Sequence, residues 1–348
     1  MPDHRPNRAI AWWLFACCAM VFATLVIGGV TRLTHSGLSI VEWKPLVGAL
    51  PPLSHAEWME LFAKYQQTPE FIQRNHDMTL EGFQFIFWWE WAHRLSGRLI
   101  GMVFLLPYLW FLFRGRLRGT LALKVFGFFV LGGLQGAMGW YMVKSGLVDD
   151  PRVSQYRLAA HLGLAFLIFG LMAWTALGLL QPRVAWKTTA DAVPPGLTFA
   201  RRLGNALIAL LFLMVLSGAL VAGIRAGLAY NTFPLMNGHF APPEMWLLDP
   251  WWLNFFSNMA TVQFDHRLVA WALFVLLPWF GWLTWRVAPA ARAAIVALLS
   301  WLPVQLSLGI ATLLLKVPLV LAALHQAGAM ILFGLLLFAR HRIDIRKA

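Results

Sequence analysis

The stretch FWWEWAHRLSGRLIG, residues 87–101, decides how the chain is read. It runs into an apolar segment that continues to residue 113, yet its first turns carry Glu90, His93, Arg94 and Arg98. A helix crosses a bilayer with ~20 mostly apolar residues. Ionisable groups at the edge of such a helix are costly and call for a partner or a task.

Seven further apolar runs of similar length lie near residues 10–30, 121–143, 157–180, 203–224, 261–285, 293–315 and 319–339. The chain is 59% hydrophobic and only 12% charged, about half the charged fraction of a soluble domain. A soluble enzyme is excluded. The expected fold class is an all-α integral membrane protein with eight transmembrane helices in a lipid bilayer.

The net charge of +13 follows that topology. With the N-terminus in the cytoplasm, the inside connections hold Arg5 and Arg8, then Arg114, Arg116, Arg118 and Lys124. Arg183, Lys187, Arg201 and Arg202 follow, then Arg286 and Arg292, and last the tail with Arg340, Arg342, Arg346 and Lys347. This is the positive-inside pattern with both termini cytoplasmic. The basicity is topological, and no nucleic-acid partner is expected. Few residues precede the first span, which favours a bacterial inner membrane over import into an organelle. The two cysteines, Cys17 and Cys18, are adjacent in the first span and point ~100° apart, so they read as small buried residues.

The spans divide four and four around the polar stretch 182–202, giving a first half 1–181 and a second half 203–348. The halves echo each other. GGVTRLTHSGLS in the first matches SGALVAGIRAGLA in the second, with Gly28 to Gly37 and Gly218 to Gly227 equally spaced. EWAHRLSG answers QFDHRLVA, LQGAMGWYMVK answers VQLSLGIATLLLK, and RLAAHLGLAFLIFG answers LAALHQAGAMILFG. Such internal similarity marks a duplicated bundle. Two pseudo-repeated four-helix bundles are the expected architecture. Between the first two spans, Ser54 and Glu57 form a capping box, and Trp58, Leu61, Phe62 and Tyr65 follow at helical spacing. This predicts a short helix on the membrane surface or over the first bundle. His4, His35, His55, His76, His239 and His341 fall in loops or tails and read as solvated.

The remaining histidines, His93, His161, His266 and His325, each begin an even-numbered span. In the expected topology all lie at one depth near the outer, periplasmic face, two per bundle. A single membrane histidine also reads as a hydrogen-bonded core residue, but repeat-related pairs suit axial ligation of haem iron. A metal-only site suits them less, because no second ligand follows at helical spacing. One turn after each histidine stands a small residue, Gly97, Ala165, Ala270 or Ala329, that lets a macrocycle approach. Arg94, Arg98 and Arg267 could meet anionic propionates through paired donors, or snorkel to headgroups.

One difference separates the halves. Glu90 stands three residues before His93, where Gln263 stands before His266. A carboxylate beside an apolar haem pocket can act as general acid or base. It can equally complement the helix dipole or pair with Arg94.

Taken together, GGVTRLTHSGLSIVEWKPLVGALPPL (28–53), YQQTPEF (65–71), FIFWWEWAHRLSGRLIG (85–101), FDHRLVAW (264–271) and LHQAGAM (324–330) closely resemble the haem A synthase family, in its alphaproteobacterial and mitochondrial-like form. The resemblance covers nearly the whole chain. It implies oxidation of the C8 methyl of haem O to a formyl group by successive hydroxylations, giving haem A. It also implies that His93 and His161 belong to the substrate pocket, that His266 and His325 hold a retained haem B, and that Glu90 is the required glutamate. Many Gram-positive relatives carry a loop cysteine pair, and this chain has no loop cysteine. A haem O synthase is the partner the resemblance implies. The electron donor, the oxygen source and the oligomeric state stay open, and a homo-oligomer is compatible with the residues. Two other readings stand beside the enzyme: a dihaem b-type membrane electron-transfer protein, and a haem carrier built on the same bundles.

Overall fold

The structure, a computed structural model, describes residues 8–43, 47–146, 151, 153–180, 184–185, 195–343 and 345–346. Of the basic residues placed inside, Arg5, Arg183, Lys187 and Lys347 lie outside the described residues, as does His4. The helices in chain order are α1 (Arg8–Leu33), α2 (His55–Gln66), α3 (Pro69–Arg74), α4 (Leu80–Phe113), α5 (Gly119–Gly146) and α6 (Gln155–Leu180). They continue with α7 (Pro195–Gly223), α8 (Asn254–Ser257), α9 (Met259–Val287), α10 (Arg292–Leu314) and α11 (Leu319–Arg342). Eight of these, all but α2, α3 and α8, are long and apolar enough to cross a membrane. The all-α membrane class expected from hydropathy is therefore what the chain adopts. A two-residue parallel pairing of Val184–Ala185 with Ile345–Arg346 is the extended structure among the described residues.

Two boundaries differ from the hydropathy reading. α4 begins at Leu80 rather than at 87, because Thr79 caps it and accepts a hydrogen bond from Gly82 N. Glu90 thus sits well inside a helix rather than at its edge. α7 begins at Pro195, so residues 195–202 of the stretch read as a linker are helical. Proline at a first helical position is pre-set for helix and needs no N–H.

By internal packing the chain forms two compact units, with the boundary falling inside α1 and α6. One runs from Ala19 to Ala165, and the other joins the start of α1, up to Cys18, to the chain from Phe166 on. In this second unit α7 packs against α9 and α11, and α10 packs against the same two, closing a four-helix ring. Leu277, Phe280, Leu298 and Leu336 are fully buried there. Apolar burial alone does not hold helices together in lipid, so close approach matters. Gly281 supplies it, for an added Cβ would lie 2.8 Å from Leu299 Cδ1.

His341 is not the solvated tail residue its position suggested. α11 continues to Arg342, and His341 is buried edge-on against Trp174 with ring centroids 5.1 Å apart. Its neighbour Arg340 is buried too, donating to Asn205 Oδ1 at 2.7 Å and to Arg201 O at 3.1 Å.

In the 19–165 unit, the α2 capping box forms, with Ser54 Oγ accepting from Glu57 N at 3.2 Å. The Glu57 carboxylate reaches back to Leu53 N at 2.7 Å. α2 lies over the start of α4 through Phe62 and Tyr65, which pack on Phe83, Ile86 and Phe87. α3 follows, capped by Thr68 with Pro69 in its first turn, and folds Glu70 into the same cluster, only 3% exposed. Tyr65 Oη donates to Glu70 Oε2 at 3.4 Å and accepts from Asn75 Nδ2 at 2.7 Å.

Burial raises the Glu70 carboxyl to about 7, against a smaller opposing pull from Arg74 and with a small further push from Glu90. An acid raised in the folded state favours folding when protonated. That contribution is complete below about pH 4.5 and is lost as pH rises through about 7. At ~1.4 kcal/mol per pKa unit the difference amounts to about 3 kcal/mol. Hydrogen exchange of α2 and α3, corrected for intrinsic rates, should therefore lose protection between pH 5 and pH 8 (a window set by that shift). Glu70→Gln should flatten the profile. An unchanged slope in the variant would show that another group sets it.

Candidate haem pockets

Each even-numbered span brings its histidine against a glycine of the span before it. A Cβ added at Gly28 on α1 would lie 2.7 Å from His93 Nε2, and one at Gly139 on α5 would lie 3.2 Å from His161 Cε1. In the second half, a Cβ at Gly218 on α7 would lie 3.1 Å from His266 Cε1, and one at Gly309 on α10 would lie 2.8 Å from His325 Cε1. Real Cβ atoms essentially never approach closer than 3.0 Å. The imidazoles are therefore seated on bare backbone: a Cβ at Gly28 or Gly309 would force a shift, and one at Gly139 or Gly218 would make a tight contact. Sequence reasoning missed these seats, although all of the glycines lie in the matched stretches of the two halves.

His93 and His161 lie in the 19–165 unit, and His266 and His325 in the other. Their polar surroundings differ. Ser217 Oγ lies 2.8 Å from His266 Nδ1 and itself donates to Met214 O at 2.8 Å. The hydroxyl has one hydrogen, so the arrangement assigns the proton to His266 Nδ1 and leaves the Nε2 lone pair free. Gln305 Nε2 donates to His325 O at 2.9 Å and lies 3.1 Å from His325 Nδ1. Its counterpart Gln135 donates to His161 O at 3.1 Å, and His161 Nδ1, although buried, has no partner among the described residues.

The arginines that follow the histidines tie down the loops after the first and fifth spans. Arg94 donates through Nε to Glu90 Oε1 at 2.6 Å, and through its two Nη atoms to Ile40 O at 2.9 Å and Glu42 O at 3.2 Å. Its guanidinium also lies over the Trp43 ring, 5.3 Å from the centroid. Arg267 repeats the plan. It donates to Tyr230 O at 3.0 Å and makes longer contacts to Gln263 Oε1, Pro234 O and Leu235 O, all at 3.5 Å. Arg94, expected at a propionate, is thus engaged with Glu90 and the loop. Arg267 keeps a buried Nε with no acceptor among the described residues. Arg98 lies a turn beyond Arg94 and is partly buried.

Glu90 and Gln263 are both buried, at 3% and 2% exposure. Gln263 spends its amide hydrogens on Ala226 O at 3.0 Å and Tyr230 O at 3.2 Å. Glu90 has no hydrogens to give. Its Oε1 holds Arg94, and its Oε2 faces the backbone of Gly37, where a Cβ would lie 4.0 Å away. The carboxylate is held at one oxygen and available at the other.

These residues suit a haem. His266 presents a free Nε2, His161 carries an orphaned buried nitrogen, and Arg267 has an unused donor for a carboxylate. Gly97, one turn from His93, faces open space with nothing within 4 Å of an added Cβ. Among the described residues, no group of His, Cys, Asp and Glu is placed to hold a bare metal ion.

Known proteins resemble the chain over nearly its whole length. The cytochrome oxidase assembly protein family, COX15-CtaA, matches residues 11–337. A protein of Nitrosospira multiformis named heme A synthase is 59% identical over 340 residues, covering 97% of this chain and 94% of the relative. One of the same name from Nitrosomonas eutropha is 52% identical over 344 residues, with 98% and 95% covered. Another from Parvibaculum lavamentivorans is 47% identical over 337 residues, with 97% and 95% covered. With eight membrane-length helices and a match that spans nearly its whole length, the chain belongs to the COX15-CtaA family of cytochrome oxidase assembly proteins.

Proposed function

We propose that this protein is a haem A synthase, an oxidoreductase of the membrane that converts the C8 methyl of haem O to the formyl group of haem A. The observation that carries the reading is the Glu90 and Gln263 contrast at equivalent places in repeat-related pockets. The relatives named heme A synthase support it over nearly their full length.

In this reading the first-half pocket, with His93 and His161, takes haem O. Glu90 is its catalytic residue. Its Oε2 can move the proton when the doubly hydroxylated carbon loses water to become the formyl group, while Arg94 fixes the carboxylate through Oε1. The Arg94 bonds to Ile40 O and Glu42 O hold the loop over that end of the helix and keep water away. Arg98 and Arg267 balance propionate charge in this reading, Arg267 by its spare Nε, while Arg94 is held by Glu90 and the loop. Gly97 leaves space for the macrocycle. His266 and His325 hold a resident haem B, which supplies one-electron redox chemistry when bound. The domain division follows: residues 1–181 form the substrate half, 203–348 the b-type half, and 182–202 contains the connection.

The setting is a bacterial inner membrane, with both termini cytoplasmic and the pockets toward the periplasm, by the distribution of basic residues. A haem O synthase delivers the substrate. The test is direct. Membranes containing the protein and supplied with haem O should yield haem A, identified by mass in the extracted pigment. A stable b-type spectrum with no conversion of haem O would instead favour the dihaem electron carrier.

A further inference from the structure

The two halves differ at a second pair of repeat-related positions. Gly28 and Gly218 are equivalent, since each seats the histidine of the next span and each is followed at the same spacing by Gly37 or Gly227. The residue before each glycine is Ile27 in the first half and Ser217 in the second. Ser217 accepts from His266 Nδ1 at 2.8 Å, anchored by its own donation to Met214 O. An isoleucine offers no such acceptor. Among the described residues no side chain hydrogen-bonds the His93 ring, which rests with Nε2 toward Gly28. His161 Nδ1 also lacks a partner.

A hydrogen bond on the far nitrogen of a ligating histidine fixes its tautomer and ring plane and raises its basicity. Its absence leaves the tautomer and basicity of the ring unset by any partner. We propose that Ser217 is a positioning residue that fixes His266 for lasting ligation of haem, and that Ile27 leaves His93 without this anchor, so that the first pocket can release its haem. Ser217 makes one haem resident, and Ile27 keeps the other exchangeable. The inference rests on the reading of the second half as the retained haem site.

The test uses the full-length protein in detergent, depleted of haem and titrated with ferric haem B, with binding and reduction potential read by optical spectroscopy. Ser217→Ala and Ser217→Ile should weaken retention by about 10- to 100-fold, the usual effect of removing such a partner, and should shift the potential of the bound haem. Ser217→Thr restores a hydroxyl and should recover both. Ile27→Ser should slow haem loss from the first pocket. His266→Ala serves as the reference. If it abolishes binding while Ser217→Ala leaves affinity and potential unchanged, the role of Ser217 is overturned and the site assignment stands. If His266→Ala also leaves the titration unchanged, the site assignment fails and this inference falls with it.

Discussion

Glu90→Gln should stop haem A formation while leaving the second-half haem spectrum in place. Glutamine preserves the oxygen that Arg94 needs. The second half demonstrates this arrangement, where Arg267 meets Gln263 Oε1 at 3.5 Å and the loop stays tied through Tyr230 O. The variant removes the charge and basicity of a carboxylate that is 3% exposed and keeps one oxygen uncommitted. Loss of a positioned acid or base typically costs 10²–10⁴-fold, so turnover should fall by about 100-fold or more. Removing one partner of a buried ion pair also destabilises. Here the Arg94 guanidinium retains two carbonyl acceptors and the Trp43 ring, which should keep the loop in place. The measurement is the ratio of haem O to haem A in extracted pigment, taken beside the reduced-minus-oxidised spectrum of the same membranes. Unchanged haem A output would sink the catalytic role of Glu90.

His266→Ala should strip the haem proposed for the second half from the purified protein, and His325→Ala should do the same. Both imidazoles are seated on glycine in the closed ring of α7, α9, α10 and α11, so no neighbouring side chain stands ready to replace them. The expected effect is near-complete loss of the b-type spectrum, with helix content unchanged. His93→Ala and His161→Ala should keep that spectrum and lose conversion of haem O. If the pigment survives in the second-half variants and disappears only in the first-half ones, the roles of the halves are reversed.

Much of this was legible in the sequence because a bilayer imposes simple rules. Apolar runs of fixed length gave the eight spans, and four histidines, each at the start of an even-numbered span, gave the candidate pockets. The start of α4 was hidden because Glu81 and Gln84 lower the hydropathy of a turn whose Phe83, Ile86 and Phe87 pack beneath α2. The Glu90–Arg94 pair was visible as a four-residue spacing, but not as the dominant contact of Arg94. Ser217 and the glycine seats were not recoverable, since they depend on the register between neighbouring helices, which spacing within one helix does not specify. Glu70 was missed for a similar reason. Only the fold of α2 and α3 back over α4 buries it.

The glycine seats have a consequence for how such a protein can diverge after duplication. Each pocket is written on two helices, with the ligand on one and the permission for it on the other. A single methyl group at Gly28 or Gly309 would fall 2.7 or 2.8 Å from an imidazole atom. One copy of the site could therefore be silenced from the opposite helix with every histidine intact. Counting histidines overstates how many pockets a relative can use, whereas counting His–Gly pairs in register does not.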